Sequence, residues 1–191
     1  MEIITAKKQN LKITLSALKD GEILVCPTDT VYGLICDASN SRAVEKIFRI
    51  KSRPRTKPLP VFVKDIKMAK NYAFLDGKQE EFLENNKITV ILKAKKPHKL
   101  SPLVYKKGTI GIRIPKYKFL NSVLDKFGKP LAQTSANISG APATTKIKEV
   151  LEQFKNKKLK PDLIVDAGDL PESRPSKVID LSGAKVKILR S

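Results

Sequence analysis

The chain reads as an α/β protein built on a mixed sheet. Three observations carry this. Short runs rich in β-branched residues, such as Ile88–Ala94 and Thr109–Ile114, have strand length, and Pro115 stops the second. Between such runs lie segments with apolar residues three and four apart, as in Ser41–Lys51. The two patterns alternate along the whole chain, which favours helices packed on one sheet over separate all-helix and all-strand halves.

In chain order, Lys8–Lys19 carries Leu11, Leu15 and Leu18 on one face and closes at Asp20-Gly21, which predicts a helix. Glu22–Cys26 is a strand ending at Pro27, and Val31–Asp37 a second extended stretch after a tight turn. Ser41–Lys51 is helical, with Val44, Ile47 and Phe48 aligned. Leu59–Val63 is a strand, followed by helical pieces at Ile66–Tyr72 and Lys78–Asn85. After the strands Ile88–Ala94 and Thr109–Ile114, Lys118–Phe127 is a helix ended by Gly128. Pro130–Gln133 leads into a short strand, Thr145–Phe154 is a helix and Leu163–Asp166 a strand. Lys155–Pro161 is a basic surface loop. Lys177–Leu181 and Lys185–Leu189 make a terminal hairpin around Ser182-Gly183.

The 191 residues fit one domain, 1–191, with enough apolar residues (41%) for a real core. Lys and Arg number 38 against 19 Asp and Glu, a formal charge of +19. That balance suits an anionic partner, a nucleotide or RNA, although lysines this scattered also describe a solvated surface. Cys26 and Cys36 lie in apolar runs and read as reduced, buried thiols, so a reducing, cytoplasmic setting is expected. There is no apolar signal core at the start and no run of membrane-spanning length, so no membrane partner is expected.

Several chemistries are absent from the motifs. There is no G-x-x-x-x-G-K-[ST], no G-x-G-x-x-G and no G-x-S-x-G. The single histidine, His98, sits in the basic loop Lys95–Lys99 and cannot build a metal site alone, and the cysteine spacing fits no zinc pattern; no metal site is expected. Four other segments stand out. Pro27–Leu34 (P-T-D-T-V-Y-G-L) follows a strand and offers hydroxyls at Thr28, Thr30 and Tyr32. Lys51–Pro60 spaces Lys51, Arg53, Arg55 and Lys57 among prolines, which hold cations in one geometry and lower the entropy cost of gripping a polyanion. Arg113 lies in an apolar strand, opposite in face to Ile112 and Ile114, and if buried needs a carboxylate or phosphate. Gln133–Gly140 (Q-T-S-A-N-I-S-G) puts Ser135 and Asn137 where the chain leaves a strand, the end of an open sheet at which ligands bind.

These segments, in this order, resemble the YrdC-like family of threonylcarbamoyl-AMP synthases: P-T-[DE]-T-V-Y-G-L, K-x-R-P-x-x-x-P-L, a T-x-x-x-R-x-P strand and S-A-N-x-S-G. The likeness continues through Pro175–Asp180 and covers about residues 10–190, as in the short, single-domain form. It implies an open, twisted mixed sheet with flanking helices and a basic concave cavity. It also implies synthesis of threonylcarbamoyl-AMP and pyrophosphate from L-threonine, bicarbonate and ATP, with Mg²⁺ held mainly by the phosphates. A downstream threonylcarbamoyl transferase would use the product to make t6A at position 37 of tRNA, with contact to tRNA or double-stranded RNA left open.

By the same resemblance Lys51 and Arg53 are the catalytic cations on the triphosphate, with Lys57 beside them. Thr109, Ser135, Asn137 and Arg190 contact ATP; Thr30, Tyr32, Arg113 and Ser176 hold threonine, Arg113 on its carboxylate. The chain departs from the pattern in having Phe62 where many members have His, Glu84–Lys87 in place of a W-P-G-P turn, and Lys177 in place of Thr. Two other readings stay open: an RNA-binding or ribosome-assembly protein, which the charge favours, and a carbamoyl-phosphate-dependent O-carbamoyltransferase.

Overall fold

The structure is a computed structural model that describes residues 1–85, 87–95, 99–183 and 185–190. His98 and Asn86, which the sequence reading singled out, lie outside the described residues. Among the described residues, eleven strands form one sheet. These are β1 (Glu2–Thr5), β2 (Leu24–Cys26), β3 (Gly33–Asp37), β4 (Val61–Phe62), β5 (Ile88–Lys93), β6 (Tyr105–Lys106), β7 (Thr109–Arg113), β8 (Leu131–Ser135), β9 (Leu163–Asp166), β10 (Lys177–Asp180) and β11 (Lys187–Arg190). Their order is β1-β9-β2-β3-β8-β4-β7-β5-β10-β11, with β6 pairing β7. The pairs β1·β9, β2·β9, β4·β7 and β5·β10 are parallel, and the others antiparallel, so the sheet is mixed as expected.

Six α-helices accompany it among the described residues: α1 (Leu11–Lys19), α2 (Ser41–Lys51), α3 (Ile66–Lys70), α4 (Gly77–Asn85), α5 (Lys118–Phe127) and α6 (Ile147–Lys155). Strand alternation divides the apolar residues between two cores. Val25, Leu34, Cys36, Val90, Ile110 and Ile112 point to one, where α2, α3, α4 and α6 bury residues such as Val44, Ile47, Met68, Leu83 and Phe154. Leu24, Cys26, Ile35, Leu131 and Val165 point to the other, closed by Leu18 of α1 and Leu120 and Leu124 of α5. This second face is covered only over part of the sheet. On β5, β7 and β8 the residues of the same parity (Thr89 and Ile91; Thr109, Gly111 and Arg113; Gln133 and Ser135) meet no helix and line a cavity instead.

Differences from the expected elements have local causes. The first turn of the expected Lys8–Lys19 helix is a 3₁₀ turn, Lys8–Asn10, with the α-helix starting at Leu11. The strand expected at Leu59–Val63 keeps ladder pairing only at Val61–Phe62, since Pro60 has no N–H to give; its carbonyl still accepts from Gln133 N at 2.9 Å. The edge strand β1 and the two-residue β6 carry too little pattern to be read alone. The helix α6 runs through Lys155, so the basic loop begins at Asn156. The terminal hairpin forms, antiparallel, with a register shift between Val178 and Ile179. Arg113 is not a water-facing edge residue: it is 3% exposed on an interior strand.

The end of α2 sets up the site. Ser52 caps it in the left-handed region (φ 52, ψ 42), and the caps donate from Ser52 N to Arg49 O and from Arg53 N to Phe48 O. This reversal sends Lys51 inward and releases Arg53 onto the following loop. A non-glycine residue there is strained by about 1–2 kcal/mol. Ser52→Gly is therefore expected to raise stability by about 0.5–1 kcal/mol in urea denaturation, part of the relief being lost to unfolded-chain entropy.

Candidate functional site

The cavity has a volume of about 550 Å³. Its walls come from the Pro27–Gly33 turn, the loop after α2, the open parity of β5, β7 and β8, and the β10–β11 hairpin. Arg53, Lys57, Lys106, Arg113 and Arg190 line it, and among the described residues no acidic side chain does. Thr28, Thr30, Thr109, Ser135 and Ser176 add hydroxyls. At Gly111 the backbone passes close to the loop after α2: a Cβ there would lie 3.0 Å from Pro60 Cβ, on the cavity wall, and Pro60 would have to give way.

The cations are held, each differently. Arg53 braces its own loop, Nε donating to Lys57 O at 2.9 Å and Nη2 to Pro58 O at 3.3 Å. Arg55 leaves the site and pairs with Glu45. Arg190, on the edge strand β11, donates from Nε to Ser176 O at 2.9 Å and from Nη2 to Ser176 Oγ at 3.3 Å. Ser176 is buried and also lies 3.1 Å from Thr89 Oγ1, so the hairpin is tied to β5 across the cavity. Arg113 donates to Asp29 Oδ1 at 2.7 Å and to Thr30 Oγ1 at 3.3 Å, under the ring of Phe62, 5.7 Å from its centroid. Phe62 thus meets the guanidinium with a π-face.

Lys51 is 2% exposed. Its ammonium donates to Ser135 O at 2.7 Å, Asn137 O at 2.5 Å and Asn137 Oδ1 at 2.9 Å. Asn137 in turn accepts from Ser135 Oγ at 2.6 Å and donates to Ala141 O at 2.6 Å. Lys51 and Asn137 therefore hold the turn that presents Ser135, and neither lines the cavity itself. The two clusters that the sequence sets 80 residues apart are brought into direct contact, in the pair Lys51–Ser135 separated by 84 positions.

Tyr32 is fully buried, is among the cavity's lining residues and spends its hydroxyl elsewhere, donating to Gly168 O at 2.6 Å and accepting from Ala167 N at 3.0 Å. Burial pushes this phenol up to about 12. Thr30 is buried between Arg113 and Thr28, and Thr109 Oγ1 donates to Lys106 O at 2.7 Å. All the residues that the sequence reading placed in the site gather around this one cavity, as lining or directly behind it. The reading passed over Asp29, Thr89 and Lys106. Asp29 had a signal, since a buried Arg113 demands an acid; Thr89 sits in a plain β-branched run, and Lys106 is one lysine among many.

The electrostatics are those of an anion site. Burial, then the neighbouring Arg53, lowers Lys51 to about 7. Burial and Arg190 lower Arg53; burial and Arg113 lower Arg190. Each cation is destabilised by the next, and a polyanion would relieve all of them. Cys26 and Cys36 are buried on the sheet, their thiols pushed well up by burial, so neither is a ready nucleophile.

The α/β chain thus presents a hydroxyl-lined, cationic cavity, suited to an anionic ligand, and has no glycine-rich phosphate loop. Residues 16–191 match the model of the Sua5/YciO/YrdC family, described as telomere recombination, and the chain belongs to that family. The bovine threonylcarbamoyl-AMP synthase is 33% identical over 182 residues, 90% of this chain and 63% of that protein. The structure of P. abyssi Sua5 complexed with L-threonine superposes with a TM-score of 0.85 at 27% identity, over 99% of this chain and 56% of that one. Escherichia coli YciO superposes with a TM-score of 0.85 at 26% identity, over 100% of this chain and 94% of that one. The chain thus spans less than two thirds of the bovine and P. abyssi proteins. No helix among the described residues is long and apolar enough to cross a membrane.

The lowered Lys51 has a measurable consequence. A bound polyphosphate would raise the pKa of Lys51 from about 7, so above that pH binding is expected to take up a proton and weaken as pH rises. Calorimetry of inorganic tripolyphosphate at pH 8 in buffers of different ionisation heat is expected to show net proton uptake. The uptake is expected to disappear in Lys51→Met.

Proposed function

We propose that the chain is a threonylcarbamoyl-AMP synthase acting in the cytoplasm. The observation that carries this is the cavity itself: three arginines and seven Ser and Thr residues line it, without an acidic group among its described lining residues. L-Threonine and bicarbonate give a carbamate with loss of water. A carbamate oxygen attacks the α-phosphorus of ATP, and pyrophosphate leaves. No covalent enzyme intermediate is required, so the chain's task is to align two reactants and neutralise charge. Arg53, Arg190 and Lys57 face the triphosphate. Lys51 acts on it through its charge and through the Ser135–Asn137 turn, with Ser135 and Thr109 on the nucleotide. Arg113 takes the threonine carboxylate, with Thr30, Tyr32 and Ser176 closing around the amino acid.

Mg²⁺ suits the phosphates better than the protein. Among the described residues no three acidic, His or Cys side chains gather, and the cavity wall already presents cations. When bound with ATP the ion would supply further charge neutralisation at the leaving pyrophosphate. The product would pass to a transferase that installs t6A at position 37 of tRNA, and the net charge of +19 favours transient contact with that RNA.

Purified chain given L-threonine, bicarbonate, Mg²⁺ and ATP is expected to release pyrophosphate and an AMP-bearing product, and leaving out bicarbonate is expected to stop both. Pyrophosphate release that needs threonine but ignores bicarbonate would instead indicate aminoacyl adenylation. Dependence on carbamoyl phosphate would move the chain to carbamoyl transfer. Arg53→Ala is expected to lower kcat/KM by about 10- to 100-fold, the worth of one charge-assisted hydrogen bond, with little change in melting temperature.

A further inference from the structure

Arg113 has five N–H groups and two protein acceptors. Asp29 Oδ1 accepts from Nη2 at 2.7 Å, with side chains 3% and 2% exposed. Thr30 Oγ1 lies 3.3 Å from both Nη1 and Nη2, across the end of the guanidinium and beyond the length of a good N–H···O bond. Nη2 shares its other edge with Nε–H. A carboxylate on that edge normally takes both hydrogens in parallel. Here Arg113 Nε and Asp29 Oδ2 are buried with no hydrogen-bond partner, so only half of the side-on fork is made. An ion pair kept only for stability would close it, because unmade bonds on buried charges are costly. The Phe62 ring lies against the guanidinium, its centroid 5.7 Å from Cζ. Asp29 itself does not line the cavity, whereas Arg113 and Thr30 do.

We propose that Asp29 is a positioning residue for amino-acid recognition: by occupying the Nε–Nη2 edge of Arg113 it directs the Nη1–Nη2 end, loosely held by Thr30, at the substrate carboxylate. The inference rests on the proposed function and adds a residue to it. Asp29 also offsets one buried positive charge, so Arg113 stays compensated before the amino acid arrives.

The test compares L-threonine with L-threoninamide, which lacks the carboxylate, by calorimetry on the whole chain, alongside steady-state kinetics. The wild-type chain is expected to favour threonine over the amide by about tenfold or more, as for a charge-assisted pair. Asp29→Asn keeps the shape and removes the charge. It is expected to raise the threonine KM about tenfold, bring the threonine-to-amide ratio close to one, and leave the ATP KM within about twofold. Asp29→Glu keeps Arg113 paired and moves the acceptor by a methylene, so its ratio should fall between the two. It also serves if the Asn variant does not fold. A lower melting temperature with an unchanged threonine-to-amide ratio in either variant overturns the inference, as does an equal rise in both KM values. Wild-type chain that makes the product without distinguishing threonine from its amide overturns this inference and the placing of Arg113 on the threonine carboxylate, while the synthase activity stands. Wild-type chain that makes no product overturns the proposed function and the inference with it.

Discussion

Positive charge buried without enough negative charge to match it governs this molecule. Lys51 and Arg113 are buried, Arg53 is half-buried and Arg190 is exposed, all around one cavity, and among the described residues Arg113 is the one of the four given a carboxylate, by Asp29. Backbone carbonyls serve the rest: Ser135 and Asn137 for Lys51, Lys57 and Pro58 for Arg53, Ser176 for Arg190. A carbonyl satisfies an N–H but neutralises no charge. The folded chain therefore holds a standing electrostatic debt that only an anion settles, and the desolvated setting makes that anion's contacts stronger than they would be in water.

The fold supplies the room for this. A sheet covered on both faces would bury the parity of Thr89, Gly111, Arg113 and Gln133 under helices, and apolar residues would stand there. Instead α1 and α5 cover that face only over β9, β2, β3 and β8, where Leu163, Leu24, Ile35 and Leu131 point outward to meet them. Beyond that cover the same parity turns polar. The cavity is thus the continuation of the second core, with hydroxyls and guanidinium groups where leucines would otherwise sit. Phe62 stands at the seam: it belongs to that core and carries the Arg113 guanidinium on its ring.

How much of this the sequence disclosed follows from the range of the forces involved. The helices Ser41–Lys51 and Lys118–Phe127 and the strand Leu163–Asp166 are legible because periodicity and caps are local, Gly128 ending its helix in the left-handed region at φ 72. The four motif segments are legible as a site because each pairs a turn with residues of phosphate or carboxylate chemistry. What local pattern cannot carry is the partner across space. Arg113 announces that it needs an acid, but nothing within its own strand says that the acid is Asp29, 84 positions away. Lys51 reads as a ligand for phosphate, and its three acceptors on Ser135 and Asn137 emerge only when the left-handed Ser52 turns the chain. Edge strands such as Glu2–Thr5 are largely exposed and make little periodic signal at all.

Lys51 shows why the two roles of such a residue need not be rivals. Its ammonium fixes the Ser135–Asn137 turn through three short hydrogen bonds, which need all three of its protons. Burial and Arg53 press it toward the neutral form, which would give up one of them. The turn is therefore firmest when Lys51 is fully charged, and Lys51 is most stably charged when an anion fills the cavity. Under the proposed function, binding of a polyphosphate and ordering of the turn that presents Ser135 would be one linked equilibrium. On the proposed function the cation would assist the phosphates without touching them, because the charge that they stabilise holds the turn that presents Ser135.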